Sequence, residues 1–443
     1  MRLIKNLYLS QQFFAFIIFA VVGFVFSFFF PFLHSIMLGA IIVFLIVVLW
    51  DFLILFIPSN PIIIKRIYPE KLSNGDINDF YVFIENLYSF SIKFRVIEEL
   101  PIQFQIRDFN RRGEVDTQKS IKIHYTLRPT KRGEYIFNSC HVFVRKLGFV
   151  ERRISIDDKR NLICFPSFLQ LKKYQLLATT NRLNELGIKK LRRIGNTLEF
   201  ESIKEYQRGD EYRFINWKAT AKMQKIMVNQ YQDEKAQPIY SFIDKGRAMR
   251  MPFDGMTLLD YAINASLVLS NITIVKEDKA GILTFAEKIE DHVPAAKRNH
   301  QMYLINKALY KIKTDFKETE FGKLYAYTKQ HINQRALLFL FTNFETSDAL
   351  KRQMKHIKLL NKSHLVVVIL FKNVELLKHA REKNNKNIHE IYTQIIIEKF
   401  LYEKELIIQK LKANGIQTIY TTPQDLTVNA INKYLEIKAK GLI

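Results

Sequence analysis

From Asn6 to Trp50 the chain has no Asp, Glu, Lys or Arg. An uncharged run built mostly of Phe, Ile, Val and Leu covers two bilayer crossings, each needing roughly 20 apolar residues. The expected spans are Phe13–Leu33 and Ile36–Ile57, separated only by His34 and Ser35 in a tight helical hairpin. A cleavable signal peptide has one apolar core of about 7–15 residues before a small-residue cleavage site. The run here is longer, doubled and rich in Phe. Asp51 interrupts the second span near its inner end, where a carboxylate costs less than at the bilayer centre. Arg2 and Lys5 precede the run, Lys65, Arg66 and Lys71 follow it, and no cation lies at the turn. That pattern directs both ends to the cytoplasmic side of an inner membrane.

Cysteine is nearly absent: Cys140 and Cys164 stand alone, far apart and in strand-like surroundings. This excludes a disulfide framework or thiolate metal site and fits a reducing cytoplasm. Also missing are a phosphate-binding loop, a serine elbow, a His-Glu-x-x-His helix and a thiol dyad, which argues against the commonest catalytic classes. The histidines form no metal-like cluster. Lys and Arg number 67 against 43 Asp and Glu, a net charge of +24. They are spread along the chain rather than gathered into a stripe with interleaved aromatics, and no zinc-finger, winged-helix or RNA-sheet signature accompanies them, so nucleic acid is not an expected partner. Charge of this sign favours an anionic lipid surface.

Beyond the anchor, residues 1–60, three regions differ in pattern. Residues 61–168 alternate polar and apolar positions in short runs such as Phe80–Glu85, Ile92–Ile97, Ile102–Phe109, Ile121–Leu127, Tyr135–Arg145 and Arg153–Ile156. Alternation over about 4–8 residues marks strands with one wet face. Turn residues at Asn110–Gly113 and Pro129–Gly133 punctuate them, and an all-β immunoglobulin-like sandwich is expected. Residues 169–236 form a less hydrophobic connector. Residues 237–443 change period repeatedly. Leu337–Phe341 and Leu365–Phe371 are continuous apolar runs of the kind buried in a parallel sheet. Strands at Pro238–Ile243, Ala280–Phe285 and Ile416–Thr421, with helices over Leu258–Asn271, His300–Ile312, Phe321–Asn333, Ile388–Lys412 and Leu426–Ile437, complete an open α/β layer. In the helix Ile388–Lys412, the residues Ile391, Ile395, Ile396, Phe400, Leu406 and Ile407 are expected to pack in the core.

The connector holds the most distinctive stretch, running from Lys204 to Lys222. Its Glu205-Tyr206, Gly209-Asp210, Arg213 and Ile215-Asn216-Trp217 resemble the hallmark of domain-of-unknown-function family 58 (DUF58), whose members are membrane-anchored bacterial proteins. Lys204 and Lys222 stand where that family usually has Arg. Leu127-Arg128-Pro129-Thr130-Lys131-Arg132-Gly133-Glu134-Tyr135 resembles the family's sandwich signature. The resemblance implies a mostly parallel, degenerate von Willebrand factor type A-like domain. It also implies partnership with a MoxR-type AAA+ ATPase or other type A domain proteins. Read from the residues alone, Asp210 and Arg213 are expected to pair across a turn opened by Gly209, with Tyr206 and Trp217 packed below as a clamp.

Type A domains build a metal-ion-dependent site from Asp-x-Ser-x-Ser at the end of the first strand, a loop Thr and a second Asp. Here that strand ends in Asp244-Lys245-Gly246-Arg247-Ala248, both Ser hydroxyls are gone, Thr257 matches the loop Thr, and Asn343 stands in place of the second Asp. No metal and no cofactor are expected. The crevice at the strands' carboxyl ends is the usual binding place in open sheets, so Asp244, Lys245, Arg247, Thr257 and Asn343 are candidate partner contacts. The overall expectation is a non-enzymatic scaffold or adaptor on the membrane. The alternatives are a hydrolase with its site near Glu205 and Asp210, and a metal-dependent protein-binding module.

Overall fold

The computed structural model describes residues 6–58, 61–167, 169–170, 198–207, 210, 212–233, 236–298, 300–374, 376 and 388–442. The chain divides into two compact units, Met1–Phe165 and Pro166–Ile443.

In the first unit Ser10 ends a short strand, β1 (Leu7–Leu9), and starts helix α1 (Gln11–Ser27), because its Oγ accepts the amides of Gln12 and Phe13 at 3.1 and 3.4 Å. Helix α2 (Pro31–Phe56) follows after three residues. The turn therefore falls at residues 28–30, and His34 and Ser35, expected to form it, lie inside α2. Proline explains the shift: it disfavours helix at the residue before it yet suits the first helical turn, where its missing N–H is harmless. At 1.5 Å per residue α1 is about 25 Å long and α2 about 39 Å. The segment Phe32–Phe56, with mean hydropathy 2.9, is long and apolar enough to cross a membrane, and α1 is a shorter apolar helix. Large apolar side chains such as Phe19, Val25, Phe32 and Ile46 stay exposed on this hairpin. That surface supports association with a membrane.

The last turns of α2 belong to the soluble fold. Leu55 is enclosed in the β core, and Val48, Phe52 and Phe56 pack against it. Asp51 accepts the amides of Leu147, Phe149 and Val150 at 3.1, 3.2 and 3.1 Å. Arg152 donates to the carbonyls of Leu55 and Pro58 at 2.6 and 2.8 Å, and Tyr88 Oη to that of Leu55 at 2.8 Å. From α1, Ser10 Oγ donates to the carbonyl of Gly148, and the Ser10 amide donates to that of Phe149 at 3.0 Å.

The β part comprises β2 (Ile62–Ile67), β3 (Leu72–Ser73), β4 (Asn78–Asn86), β5 (Ile92–Glu98), β6 (Asn110–Val115), β7 (Ser120–Leu127), β8 (Gly133–Phe137), β9 (Cys140–Arg145), β10 (Val150–Ile156) and β11 (Arg160–Phe165). They form sheets of order β1-β10-β9-β5-β6, β2-β4-β7 and β3-β11-β8 around one apolar core. Residues 110–113, expected as a turn, begin β6, and the expected strand at 102–109 contains a 3-10 turn instead. Between the sheets lies a buried polar group. Glu98 accepts from Tyr125 Oη and, at 3.3 Å, from Tyr68 Oη, with Arg66 Nη1 at 3.5 Å. Burial raises the Glu98 pKa and pushes the nearby Cys140 thiol up to about 12. Both cysteines are buried and unbridged.

In the second unit β12 (Leu198–Glu205) pairs with β13 (Met227–Asp233) as a hairpin that carries helix α3 (Trp217–Met223) between its strands. The main sheet contains β14 (Pro238–Asp244), β17 (Lys279–Phe285), β18 (Ile289–Ala296), β19 (Leu337–Phe341), β20 (Leu365–Phe371) and β21 (Gln417–Thr421), in order β18-β17-β14-β19-β20-β21. Only β18 is antiparallel to its neighbour, so the sheet is open and mixed. A small ribbon, β15 (Pro252–Phe253) with β16 (Met256–Thr257), precedes helix α4 (Leu258–Val275). Helices α5 (Gln301–Lys311), α6 (Phe321–His331), α7 (Ser347–Ser363), α8 (Ile388–Ala413) and α9 (Leu426–Ala439) complete the layers. Two apolar clusters cover the sheet, one with α4, α5 and α9 and the other with α6, α7 and α8. Although α4 is apolar enough to span a membrane, its window is 78% buried and it serves as a core helix. On α8 the expected core residues Ile391, Ile395 and Ile396 are exposed, whereas Ile397, Ile407 and Leu411 are buried.

Replacing Asp51 with Ala leaves three amides without their acceptor, and each enclosed unsatisfied donor costs about 1–3 kcal/mol. Asp51→Ala is therefore expected to lower the unfolding free energy of the detergent-solubilised chain by on the order of 3 kcal/mol, with Asp51→Asn intermediate. Denaturant titration checks this, and an unchanged midpoint would contradict it.

Candidate functional site

The hallmark residues lie on the β12–β13 hairpin. Asn216 caps α3 by accepting the Ala219 amide at 3.0 Å, and its Nδ2 donates to Asn229 Oδ1 at 2.8 Å. Asp210 accepts Lys204 Nζ and the Gln207 amide, both at 2.9 Å, which holds its carboxyl below the usual range. The expected Asp210–Arg213 pair is thus replaced by Asp210–Lys204, since Lys204 reaches from the end of β12 while the Arg213 guanidinium lies over the Phe214 ring. Glu205 pairs with Lys225 at 3.2 Å in an exposed position. Gly209 lies outside the described residues. Tyr206 stacks on Tyr212 with ring centroids 5.8 Å apart.

Trp217, expected to be packed beneath the turn, is 72% exposed, and Tyr212 is 77% exposed. Trp217 opens α3 directly after its cap, so the indole stands at the helix start rather than on a buried stripe. Met223, Ile226 and Ile203 are exposed on the same hairpin. No His, Cys or Ser is bonded to Glu205 or Asp210 among the described residues, and each carboxylate is held by a lysine.

The second group surrounds Asp244 at the carboxyl end of β14. Its Oδ1 accepts from Thr319 Oγ1 and the Gly246 amide, both at 2.7 Å, and its Oδ2 accepts from Thr342 Oγ1 at 2.6 Å. Burial raises its pKa against those three donors. A cleft of about 330 Å³ is lined by Asp244, Arg247, Thr319, Asn343, Glu345 and Arg352, among others.

Two sequence expectations are corrected here. Lys245 does not face a partner: it is buried, and its Nζ donates to Glu290 and, at 3.3 Å, to the carbonyl of Lys313. Thr257 does not reach Asp244, because it caps α4 in a reciprocal box with Asp260. Arg247 is exposed on the cleft, and Asn343 lines it while accepting Lys404 Nζ at 3.0 Å. Sequence reasoning missed Thr319, Thr342 and Lys404. Lys404 offered one signal, a cation spaced 7 and 3 residues from the buried Ile397 and Ile407. It is enclosed, also donates to the carbonyl of Phe344, and burial lowers its pKa to about 8.

This donor set does not suit a dication. Glu318 and Glu345 also line the cleft, but no group of three or more His, Cys, Asp or Glu placed to hold a metal occurs among the described residues, and both Thr hydroxyls are turned toward Asp244 as donors. A side chain at residue 246 would meet Thr319 Oγ1 at 1.9 Å from its Cβ, so the place of the type A serine is already filled by that hydroxyl. A buried ammonium on Asn343 adds unfavourable charge nearby.

Residues 202–378 match the family described as "Protein of unknown function DUF58". The chain carries a DUF58 domain. "Uncharacterized protein YeaD" of Bacillus subtilis (strain 168) is 23% identical over 189 residues, covering 41% of this chain and 47% of the relative. The chain thus spans about half the length of the curated relative it matches. Among solved structures, the PapD-like domain 7 of human CEP192 is 14% identical, covers 25% of this chain and 89% of its own, and has a TM-score of 0.20. The CARDB domain of PF1109 from Pyrococcus furiosus is 12% identical, with coverages of 24% and 94% and a TM-score of 0.17. At these TM-scores neither likeness bears on what this chain does.

Substituting an exposed residue usually shifts stability by less than about 0.5 kcal/mol. Trp217→Ala should therefore leave the thermal midpoint nearly unchanged, and a large drop would place the indole in the core. For Asp244 the raised folded-state pKa means the folded chain holds this proton more tightly than the unfolded chain, whose Asp titrates near about 3.9. The Asp244 contribution to stability then falls as pH rises from about 4 through the raised value. The melting temperature of Asp244→Asn relative to wild type should climb over that window. A difference independent of pH would show that Asp244 is not held as described.

Proposed function

We propose that this chain is a membrane-anchored scaffold or adaptor that docks a protein partner through its hallmark hairpin and, separately, through the cleft at the carboxyl end of β14. One observation carries this reading: the hallmark segment exposes Trp217 and Tyr212 instead of burying them. Trp and Tyr are enriched among residues that dominate protein interfaces, and both rings remain largely exposed even though Tyr212 stacks on Tyr206. The family resemblance adds the kind of partner, a MoxR-type AAA+ ATPase or another type A domain protein acting in assembly or maturation of envelope complexes. In this reading 1–60 anchors the chain, 61–168 is an immunoglobulin-like domain, 169–236 carries the docking hairpin, and 237–443 is a degenerate von Willebrand factor type A-like domain. Both termini and the soluble parts face the cytoplasm.

Recognition at the cleft is metal-free in this proposal. Arg247 and Arg352 meet acidic side chains of the partner, a pairing that speeds association and weakens with salt. Capture of the ATPase by the full detergent-solubilised chain should drop with Trp217→Ala and with Arg247→Glu/Arg352→Glu, and EDTA should change it little. Capture abolished by EDTA and restored by Mg²⁺ would overturn the metal-free model. For topology, a reporter after Ile443 should be active in the cytoplasm and one inserted between Phe29 and Phe30 should report the far side. Periplasmic activity of the C-terminal fusion would sink the orientation.

A further inference from the structure

Beside the start of α1, a cleft of about 670 Å³ opens between Ser10–Gln12 and the face of the five-stranded sheet. Its size falls within the range of about 300–1,000 Å³ typical of small-molecule sites. The sheet contributes Lys93, Arg95, Arg112 and Arg145 to the lining, with Glu114 and Glu151 as the acidic members. Arg95 is neutralised by Glu151 at 2.8 Å and lies over the Phe143 ring, yet its enclosed Nε has no hydrogen-bond partner among the described residues. Lys93, Arg112 and Arg145 form no ion pair among the described residues.

The strand register makes this clustering costly. Lys93 on β5 stands directly opposite Arg145 on β9, and Arg95 on β5 directly opposite Arg112 on β6. Residues directly opposite point to the same face, and like charges placed so destabilise a sheet. Glu114 on β6 stands opposite Lys93 and Glu151 pairs with Arg95, yet the lining still sets four cations against two carboxylates, an excess that an anionic ligand would relieve. The N-terminus of α1 adds favourable dipole for the same charge, and its first turn has no acidic residue. Depth is fixed as well: the lining ends at Gln12, and the apolar run begins at Phe13. The cleft therefore sits where an apolar helix leaves the headgroup layer.

We infer that this cleft binds the phosphodiester headgroup of an anionic glycerophospholipid, with the acyl chains running along the exposed apolar face of α1. The inference rests on the membrane-spanning reading of the hairpin. Arg95 and Arg145 line the floor, and Lys93 and Arg112, both exposed, close the rim.

The test uses the full chain in a neutral detergent with dihexanoyl-phosphatidylglycerol, dihexanoyl-phosphatidylcholine, or inorganic phosphate. At lipid concentrations well above dissociation, phosphatidylglycerol should raise the melting temperature by about 2–4 °C, with little shift from phosphatidylcholine or phosphate. Lys93→Gln/Arg112→Gln, which removes one cation from each opposed pair, should melt at or above the wild-type temperature without lipid and lose the shift, and Arg112→Lys should retain most of it. Lys119→Gln/Lys159→Gln, which removes the same charge outside the cleft, should keep it. Equal shifts from phosphatidylcholine, or a shift retained by Lys93→Gln/Arg112→Gln, would overturn the site. Loss in the Lys119/Lys159 variant would assign the effect to bulk charge, and an equal shift from inorganic phosphate would replace lipid by free anion, each overturning the proposal. Carbonate extraction of native membranes separates the two readings: a chain that stays embedded but shows no phosphatidylglycerol preference loses only the cleft, whereas a chain released by carbonate loses the spanning hairpin.

Discussion

The carboxylate of Asp51 is the constraint on which the first unit depends. A charged group near the end of a long apolar helix is costly unless its lone pairs are filled, and here the amides of Leu147 and Phe149 in the β9–β10 turn and of Val150 at the start of β10 fill them. The same contact removes a second problem, because the tip of the β9–β10 hairpin otherwise presents those amides unpaired. Arg152 then takes up the carbonyl of Leu55 in the last turn of α2, which has no partner within the helix, and that of Pro58 just beyond it. Helix and β domain thus satisfy each other's orphan groups. An apolar anchor joined this way is continuous with the soluble core, as Leu55 within that core shows.

The second unit handles buried charge at the carboxyl ends of its strands by a different route. Asp244 is met by two hydroxyls and an amide rather than by a cation, Lys245 turns away toward Glu290, and Lys404 is spent on the amide oxygen of Asn343 and a carbonyl. Each group is individually satisfied, so the sheet end is internally closed where a type A domain leaves oxygens open to a metal. What remains open is the rim, where the exposed Arg247 and Arg352 line the cleft together with Glu318 and Glu345.

Much of this was legible in the sequence because the signals were local. The strands at Leu337–Phe341 and Leu365–Phe371 match their apolar runs, since a strand buried on both faces needs no alternation and stops where the run stops. Helix α7 was missed although Leu350, Met354, Ile357 and Leu360 recur at helical spacing, because lysines crowd the intervening positions. Strand β1 carries too few residues to show a period and exists through its pairing with β10, roughly 140 residues away in sequence. The site residues failed for the same reason. That Thr319 rather than Thr257 meets Asp244, and that Lys245 is internal, are facts of tertiary pairing with no trace in local spacing.

Placement of the aromatics separates folding from function within the hallmark motif. Asn216 and Asp210 act as helix cap and turn brace through their hydrogen bonds to the Ala219 and Gln207 amides. Trp217 and Tyr212 make the opposite choice and leave in water surface whose burial is worth roughly 1.5–3 kcal/mol per large side chain. A short helix needs no indole at its first position, and Ala would serve it better by propensity. Among the described residues the motif therefore combines a hydrogen-bonded cap and turn with an exposed aromatic surface. The described residues leave that surface unburied, and on this physical ground the docking proposal for the hairpin rests.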